Sequence, residues 1–277
     1  MTFELHPART TDEAVGLLTR LGGDAMVLAG GTAFTLLWKQ GLVRPGHVVD
    51  IHSVDELRGI AGLPDGGLRI GALATHRDAE RHPAVASYCP ALAATFGQVA
   101  TIRIRNQATV GGNLAHADPA QDPPVMLLAL DAVAVARSAR GERRIPLASL
   151  FVELMTTSLA PDELLTEILL PPLPAGTRAT YRKFLPRTAD DYATVSVAAV
   201  SPPGKGVRVA LGSVAATPVR ADACERALAG GASLPEAASL VDEAIDPLDD
   251  GRGSAGYKRR IAGVWTERAL REVSGAH

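Results

Sequence analysis

Thr109-Val110-Gly111-Gly112-Asn113-Leu114-Ala115-His116-Ala117-Asp118-Pro119-Ala120-Gln121-Asp122 is the stretch around which the chain is organised. Two adjacent glycines sit between a threonine-valine pair and an asparagine, and two carboxylates follow on either side of Pro119. So many glycines and acids would damage a buried strand, and no apolar periodicity marks an amphipathic helix. The composition suits backbone laid close against a ligand. Glycine removes the Cβ from the approach, Thr109 and Asn113 can hydrogen-bond, and an acid can hold hydroxyls. An ordinary surface turn carries the same Gly-Gly signature, so these two glycines alone leave both readings open.

A second glycine pair lies upstream. Ala25-Met26-Val27-Leu28-Ala29 is an apolar, strand-like run that stops at Gly30-Gly31-Thr32, and a helical pattern follows in Phe34, Leu37 and Trp38. A strand, paired glycines and a helix build a nest of N–H groups suited to a phosphate. The spacing is neither G-x-G-x-x-G nor G-x-x-x-x-G-K-[ST], so neither a Rossmann site nor a P-loop follows. Two separated glycine loops point to a long ligand with a diphosphate at its middle, held from both sides.

Together, Ala29-Gly30-Gly31-Thr32 and Ile104-Arg105-Asn106-x-x-Thr109-Val110-Gly111-Gly112-Asn113-Leu114-Ala115-His116-Ala117-Asp118-Pro119 resemble the FAD-binding subunit of molybdenum hydroxylases. These are the medium chains of the xanthine dehydrogenase and carbon monoxide dehydrogenase type. Order and spacing of both motifs match, and the resemblance covers essentially the whole chain. It implies an α+β fold: a two-lobed FAD-binding domain of the PCMH type over 1–173, with lobes at about 1–56 and 57–173. A small α+β C-terminal domain of antiparallel strands and helices would follow over 177–277. Pro171-Pro172-x-Pro174-Ala175-Gly176 between them cannot continue either kind of element and reads as the linker.

Composition narrows the role. The 277 residues carry a formal net charge of -2, with 21% charged and 47% hydrophobic residues, which gives no electrostatic case for nucleic acid or an anionic membrane. No apolar run approaches the roughly 20 residues that span a bilayer, and Met1 to Pro7 lack a basic segment followed by an apolar core. A cytoplasmic protein is expected. The 2 cysteines, Cys89 and Cys224, cannot supply the four thiolates of an iron–sulfur cluster. They read as small buried side chains. No recognised metal-ligand spacing occurs, so no metal is expected here.

Along the chain, Phe3 to Leu5 reads as a short strand, and a helix opens at Thr11 with Thr10 or Thr11 as its cap. A strand at 25–29, a helix at 32–40 and a strand at Val48 to Ile51 complete a βαβ-like unit, with Phe34, Leu37 and Trp38 as a packing face. A hairpin over 58–73, helices at about 75–81 and 83–98, and strands at 131–136 and 164–170 follow. Beyond the linker come three strands, 179–185, 195–200 and 207–214, then helices at 221–229, 234–245 and 254–273.

The resemblance also implies site residues. Val27, Leu28, Ala29, Gly30, Gly31, Thr32, Ala33 and Phe34 wrap the diphosphate, and Thr109, Gly111, Gly112 and Asn113 face the cofactor from the other side. Asp122 is the acid that holds ribityl or ribose hydroxyls; a helix N-terminal acid ahead of Pro123-Pro124 is its plainer reading. Val99 lines the cofactor and the Leu164-Leu165 pair covers the isoalloxazine ring, with Leu165 as the contact, although both positions also suit a core. Lys183 matches the basic residue at the flavin edge, where a cation stabilises the anionic reduced ring; an edge-strand lysine that deters aggregation is the alternative. In the loop from Arg187 to Ala193, Tyr192 is the candidate shield of the ring. His116 belongs to the motif and reads as a hydrogen-bonding residue, not a proton carrier, and His76 has less claim. No catalytic residue is expected, and the FAD is expected to be noncovalent. Molybdopterin and iron–sulfur clusters would sit in a large and a [2Fe-2S] small partner chain, with NAD+, oxygen or another acceptor receiving the electrons. A stand-alone flavin oxidase or reductase would need a substrate base beside the ring, and none is evident. A flavin-free scaffold would not need intact glycines at both loops.

Overall fold

The computed structural model describes residues 2–188 and 190–275. Ala189 in the Arg187–Ala193 loop, and Met1, Ala276 and His277 at the ends of the two expected domains, lie outside the described residues.

A parallel three-stranded sheet opens the chain, in the order Glu4–Pro7, His47–Asp50, Ala25–Leu28. The helix Thr11–Leu21 starts where the Thr10 hydroxyl accepts the Glu13 N–H, and it buries Ala14, Val15 and Leu18. Those residues share a core with Val49, Ile51, Leu57 and Leu73. The βαβ-like unit read from the sequence is this sheet with its two helices.

The second sheet is antiparallel, in the order Ile60–Gly62, Leu68–Gly71, Leu164–Leu170, Val133–Ser138, Gly141–Pro146. Its central strand is its last in sequence, and Leu164, Leu165, Ile168 and Leu170 are buried there, with Thr166 buried and Glu167 half-buried between them. One expected helix is two. The span 83–98 divides into Pro83–Tyr88 and Pro90–Gly97 with Cys89 extended at φ -157. Pro90 has no N–H to donate and its ring pushes the residue before it out of the helical region. The expected helix 234–245 likewise ends at Ser239 and tightens into a 3₁₀ segment over Leu240–Ala244.

The opening stretch is also more regular than its composition implies. Val110–His116 is a helix capped by Thr109, and Asp122–Ala129 is a second, wholly buried one. Glycine is tolerated in the first because Gly111 is wedged against Ala72 and Gly112 against the capping Thr109 hydroxyl.

The C-terminal sheet is antiparallel, Arg178–Phe184, Val195–Ser201, Arg208–Gly212, Val219–Arg220. Its strand Val195–Ser201 is buried on both faces. Val195, Val197 and Ala199 join a core with Ala255–Ser274 and its neighbouring helices, while Ala198 and Val200 join the core of the second sheet and Asp122–Ala129. Cross-strand partners share a face, so Tyr181 (opposite Ala198) and Lys183 (opposite Ser196) point toward the helix Asp122–Ala129.

Candidate cofactor site between two glycine loops

The two glycine loops touch. A Cβ on Gly30 would lie 1.8 Å from the carbonyl oxygen of Gln107, and one on Gly112 would meet the Thr109 hydroxyl at 2.8 Å and Ala29 Cβ at 4.0 Å. Gly30 is therefore glycine because another backbone occupies the place of its side chain. Gly31 adopts φ +71, a conformation that favours glycine, and begins the helix Thr32–Lys39 without a side-chain cap. The first-turn amides of Thr32, Ala33 and Phe34 have no acceptor within that helix. Among the described residues they find no other backbone acceptor.

In the second loop the amides are spent within the chain. Val110 N–H donates to Ala74 O at 2.9 Å, Gly111 N–H to Ala72 O at 2.8 Å and Asn113 N–H to Thr109 O at 2.9 Å. Gly112 N–H donates to the Thr109 hydroxyl at 3.1 Å. A Cβ on Gly111 would be 2.6 Å from Ala72 Cβ, so this glycine lets the helix seat on the end of the second sheet.

Between the loops lies a cavity of about 700 Å³, within the range of small-molecule and cofactor sites. Val27, Ala29 to Phe34, Val99, Thr109, Gly111, Gly112, Asn113, Asp122 and Leu165 line it, and the C-terminal sheet closes it with Lys183 and, from the loop between its first two strands, Tyr192. Leu28 is the exception. Its carbonyl accepts Ile51 N–H at 3.0 Å and its side chain packs beside Gly31, off the cavity wall. Phe34 lines the cavity and also meets Phe3, against whose ring Trp38 packs edge-on at 5.3 Å. Tyr192, 53% exposed, stands at the mouth.

Asp122 is both of the things its sequence allowed. It opens the helix Asp122–Ala129 and faces the cavity. Tyr181 Oη donates to one carboxylate oxygen at 2.6 Å, and Lys183 Nζ donates to the other at 3.0 Å and to Gln98 O at 3.2 Å. Burial pushes the Asp122 carboxyl up while Lys183 pulls it down, and burial together with Asp122 holds the Tyr181 phenol well above its ordinary range. Lys183 sits on an edge strand, yet only 3% of its side chain is exposed. It does not blunt an edge; it carries a buried cation to the cavity.

The cavity wall also holds polar atoms with no partner in the chain. Both ring nitrogens of His76, Oδ1 of Asn113 and Oε1 of Gln121 are buried and unbonded. Each buried orphan costs roughly 1–3 kcal/mol unless something satisfies it, so three residues' worth on one wall fits a polar ligand. His76 stacks on Phe96 at 5.6 Å, and burial followed by the Arg105 charge lowers it to about 4. Burial also lowers His116, against the pull of Asp118. Gln121 escaped the sequence reading although it sits inside the decisive stretch; its one signal was its place between Ala120 and Asp122 at a helix start.

A phosphate-ready helix start, a buried acid–lysine pair and a closing sheet from a second unit define a cradle for an extended, anionic cofactor. Comparison with known proteins gives that class its family. Residues 1–173 match the FAD binding domain in molybdopterin dehydrogenase, and residues 179–273 match the CO dehydrogenase flavoprotein C-terminal domain. The carbon monoxide dehydrogenase medium chain of Hydrogenophaga pseudoflava is 35% identical over 97% of this chain and 96% of its own. The xanthine dehydrogenase FAD-binding subunit of Escherichia coli O157:H7 is 30% identical over 98% and 96%. Among solved structures, a carbon monoxide dehydrogenase from Hydrogenophaga pseudoflava superposes with a TM-score of 0.93 at 36% identity, covering 99% of this chain and 98% of that one. The chain belongs to the FAD-binding medium subunits of the molybdenum hydroxylases, a family of oxidoreductase components.

Proposed function

We propose that the chain is the electron-transfer subunit of a multi-chain molybdenum hydroxylase. It takes electrons from iron–sulfur clusters of a small partner and passes them through noncovalent FAD to NAD+, oxygen or another acceptor, while a molybdopterin-binding large partner transforms the substrate. The chemistry that FAD supplies when bound is two-electron capable and one-electron tolerant, which suits a junction between clusters and a hydride or oxygen acceptor. The observation that carries this reading is the cavity shared by both glycine loops and the C-terminal sheet, with its orphaned polar wall.

In this reading Thr32, Ala33 and Phe34 present free amides to the diphosphate. Val27, Ala29, Gly30 and Gly31 shape the backbone beneath it. Asn113 and Gln121 offer acceptors to hydroxyl or ring N–H groups, and Val99 and Leu165 give apolar contact. Thr109, Gly111 and Gly112 act through their fold, since their amides are already used. Asp122 orients Lys183, whose charge faces the reduced ring, and Tyr192 covers the open side. Residues 1–173 and 177–277 act as the cofactor unit and its cover, joined by a common core. None of the described helices is long and apolar enough to cross a membrane, consistent with a cytoplasmic site of action.

The test is to purify the chain with its partner chains, release the flavin by denaturation and follow reduction in the intact assembly. Close to one FAD per chain, reduced when substrate is added, is expected, and bleaching by NADH identifies a nicotinamide acceptor. An assembly that turns over without flavin overturns the proposal. Asp122→Asn should leave the Lys183 ammonium without its countercharge, at a cost on the order of 3–5 kcal/mol, and flavin content should fall with it.

A further inference from the structure

In the first sheet, the parallel register places three metal-competent side chains together. Glu4 lies opposite His47, and His6, two residues on from Glu4, shares its face. The residues on that face include Val49, which belongs to the core under Thr11–Leu21, so the cluster sits at the solvent end of a packed surface. His6 Nε2 and His47 Nδ1 are 3.0 Å apart. The Glu4 carboxylate reaches His47 Nδ1 at 3.5 Å and His6 Nε2 at 3.8 Å. Among the described residues this is the one group of three or more such side chains with ligand atoms close enough to share an ion.

We propose that Glu4, His6 and His47 bind a divalent ion of the Zn2+ class, which ties the strand Glu4–Pro7 to His47–Asp50. Zinc binds imidazole nitrogen and carboxylate oxygen at about 2.0–2.2 Å, so donors around one tetrahedral ion stand roughly 3.3–3.5 Å apart. The three separations here, 3.0, 3.5 and 3.8 Å, bracket that figure. Two imidazoles and a carboxylate match the donor preference of zinc and its neighbours rather than of calcium or magnesium. The histidine side chains are 14% and 29% exposed and thus held, whereas Glu4 at 67% is free to close on the ion. Binding replaces the single N–H···N hydrogen bond between the rings, and water completes the shell. The site is independent of the flavin reading.

Calorimetric titration of the chelator-treated full chain with ZnCl2 tests this. One Zn2+ per chain is expected. His47→Gln should weaken it by more than the roughly 10–100-fold that loss of an outer-shell partner costs, Glu4→Gln by on the order of tenfold, and His52→Ala not at all. Equal binding by wild type and His47→Gln, or none below millimolar Zn2+, overturns the proposal and leaves a histidine–histidine hydrogen bond as the whole role of the pair. Should His47→Gln not fold, anomalous scattering from zinc-soaked wild-type crystals decides. A peak between His6 Nε2 and His47 Nδ1 upholds the site, and a peak only elsewhere, or none, overturns it.

Discussion

The two Gly-Gly loops are near twins in sequence and opposites in structure. At Gly30-Gly31 the chain turns into a helix with its leading amides unspent. At Gly111-Gly112 every amide from Val110 to Asn113 is already donated, to Ala74, Ala72, the Thr109 hydroxyl and Thr109 O in order. One loop faces the cavity with backbone, the other with side chains while its backbone holds the domain together. Paired glycines thus report a close approach of something, and only the fold says whether that something is a ligand or more protein.

The contrast can be broken by adding single carbon atoms. The largest effect is expected for Gly30→Ala, whose Cβ would fall 1.8 Å from a main-chain oxygen that cannot step aside. The loops must part, at or beyond the upper end of the roughly 1–3 kcal/mol typical of overpacking. Flavin retention should be lost in the same variant, read as absorbance of the purified assembly. Gly111→Ala comes next: its contacts at 2.6 and 2.9 Å are with Ala72, and about 1–3 kcal/mol of stability should go, by thermal or denaturant unfolding. Gly112→Ala should be milder, since its nearest obstacle at 2.8 Å is the Thr109 side chain. Displacing that hydroxyl forfeits a helix cap worth about 1 kcal/mol. If Gly112→Ala proves as damaging as Gly30→Ala, the division of labour drawn here is wrong.

Much of this was legible beforehand, and the failures have physical causes. Strand runs such as Leu164–Leu170 and Val195–Ser201 declare themselves because burial on two faces leaves sequence that is mostly apolar at successive positions, interrupted only by Thr166 and Glu167 in the first and by Ser196 and Ser201 in the second. The helix Val110–His116 did not, because its stability comes from Thr109 and from glycine packing on Ala72, neither of which leaves an apolar periodicity. The break at Cys89-Pro90 was written in the proline and was masked by the surrounding alanines. At the site, Lys183 was visible as a cation, but not its burial against Asp122, which depends on a strand packing onto the start of a helix about sixty positions earlier. Glu4, His6 and His47 show the limit most clearly: ligands on two strands have no sequence spacing to recognise.

The smallest effect at neutral pH, and the sharpest in pH, concerns His76, whose backbone N–H reaches the second loop at Ala108 O, 3.0 Å away. Its ring is fully buried, its nitrogens lack partners, and its pKa falls from 6.5 to about 4. The folded state therefore holds this ring neutral where the unfolded chain takes up a proton. The stabilisation is present above pH 6.5 and is lost as pH falls from there to about 4. At about 1.4 kcal/mol per unit the whole loss amounts to about 3 kcal/mol. In flavin-free protein His76→Leu replaces an orphaned ring by an apolar group and should change stability at pH 7 by less than about 1 kcal/mol. At pH 5 the variant should be the more stable by about 2 kcal/mol. Urea unfolding at both pH values measures this. An unchanged pH slope in His76→Leu would mean that the imidazole finds a proton acceptor in the folded chain, and the cavity wall would lose one of its claims on a ligand.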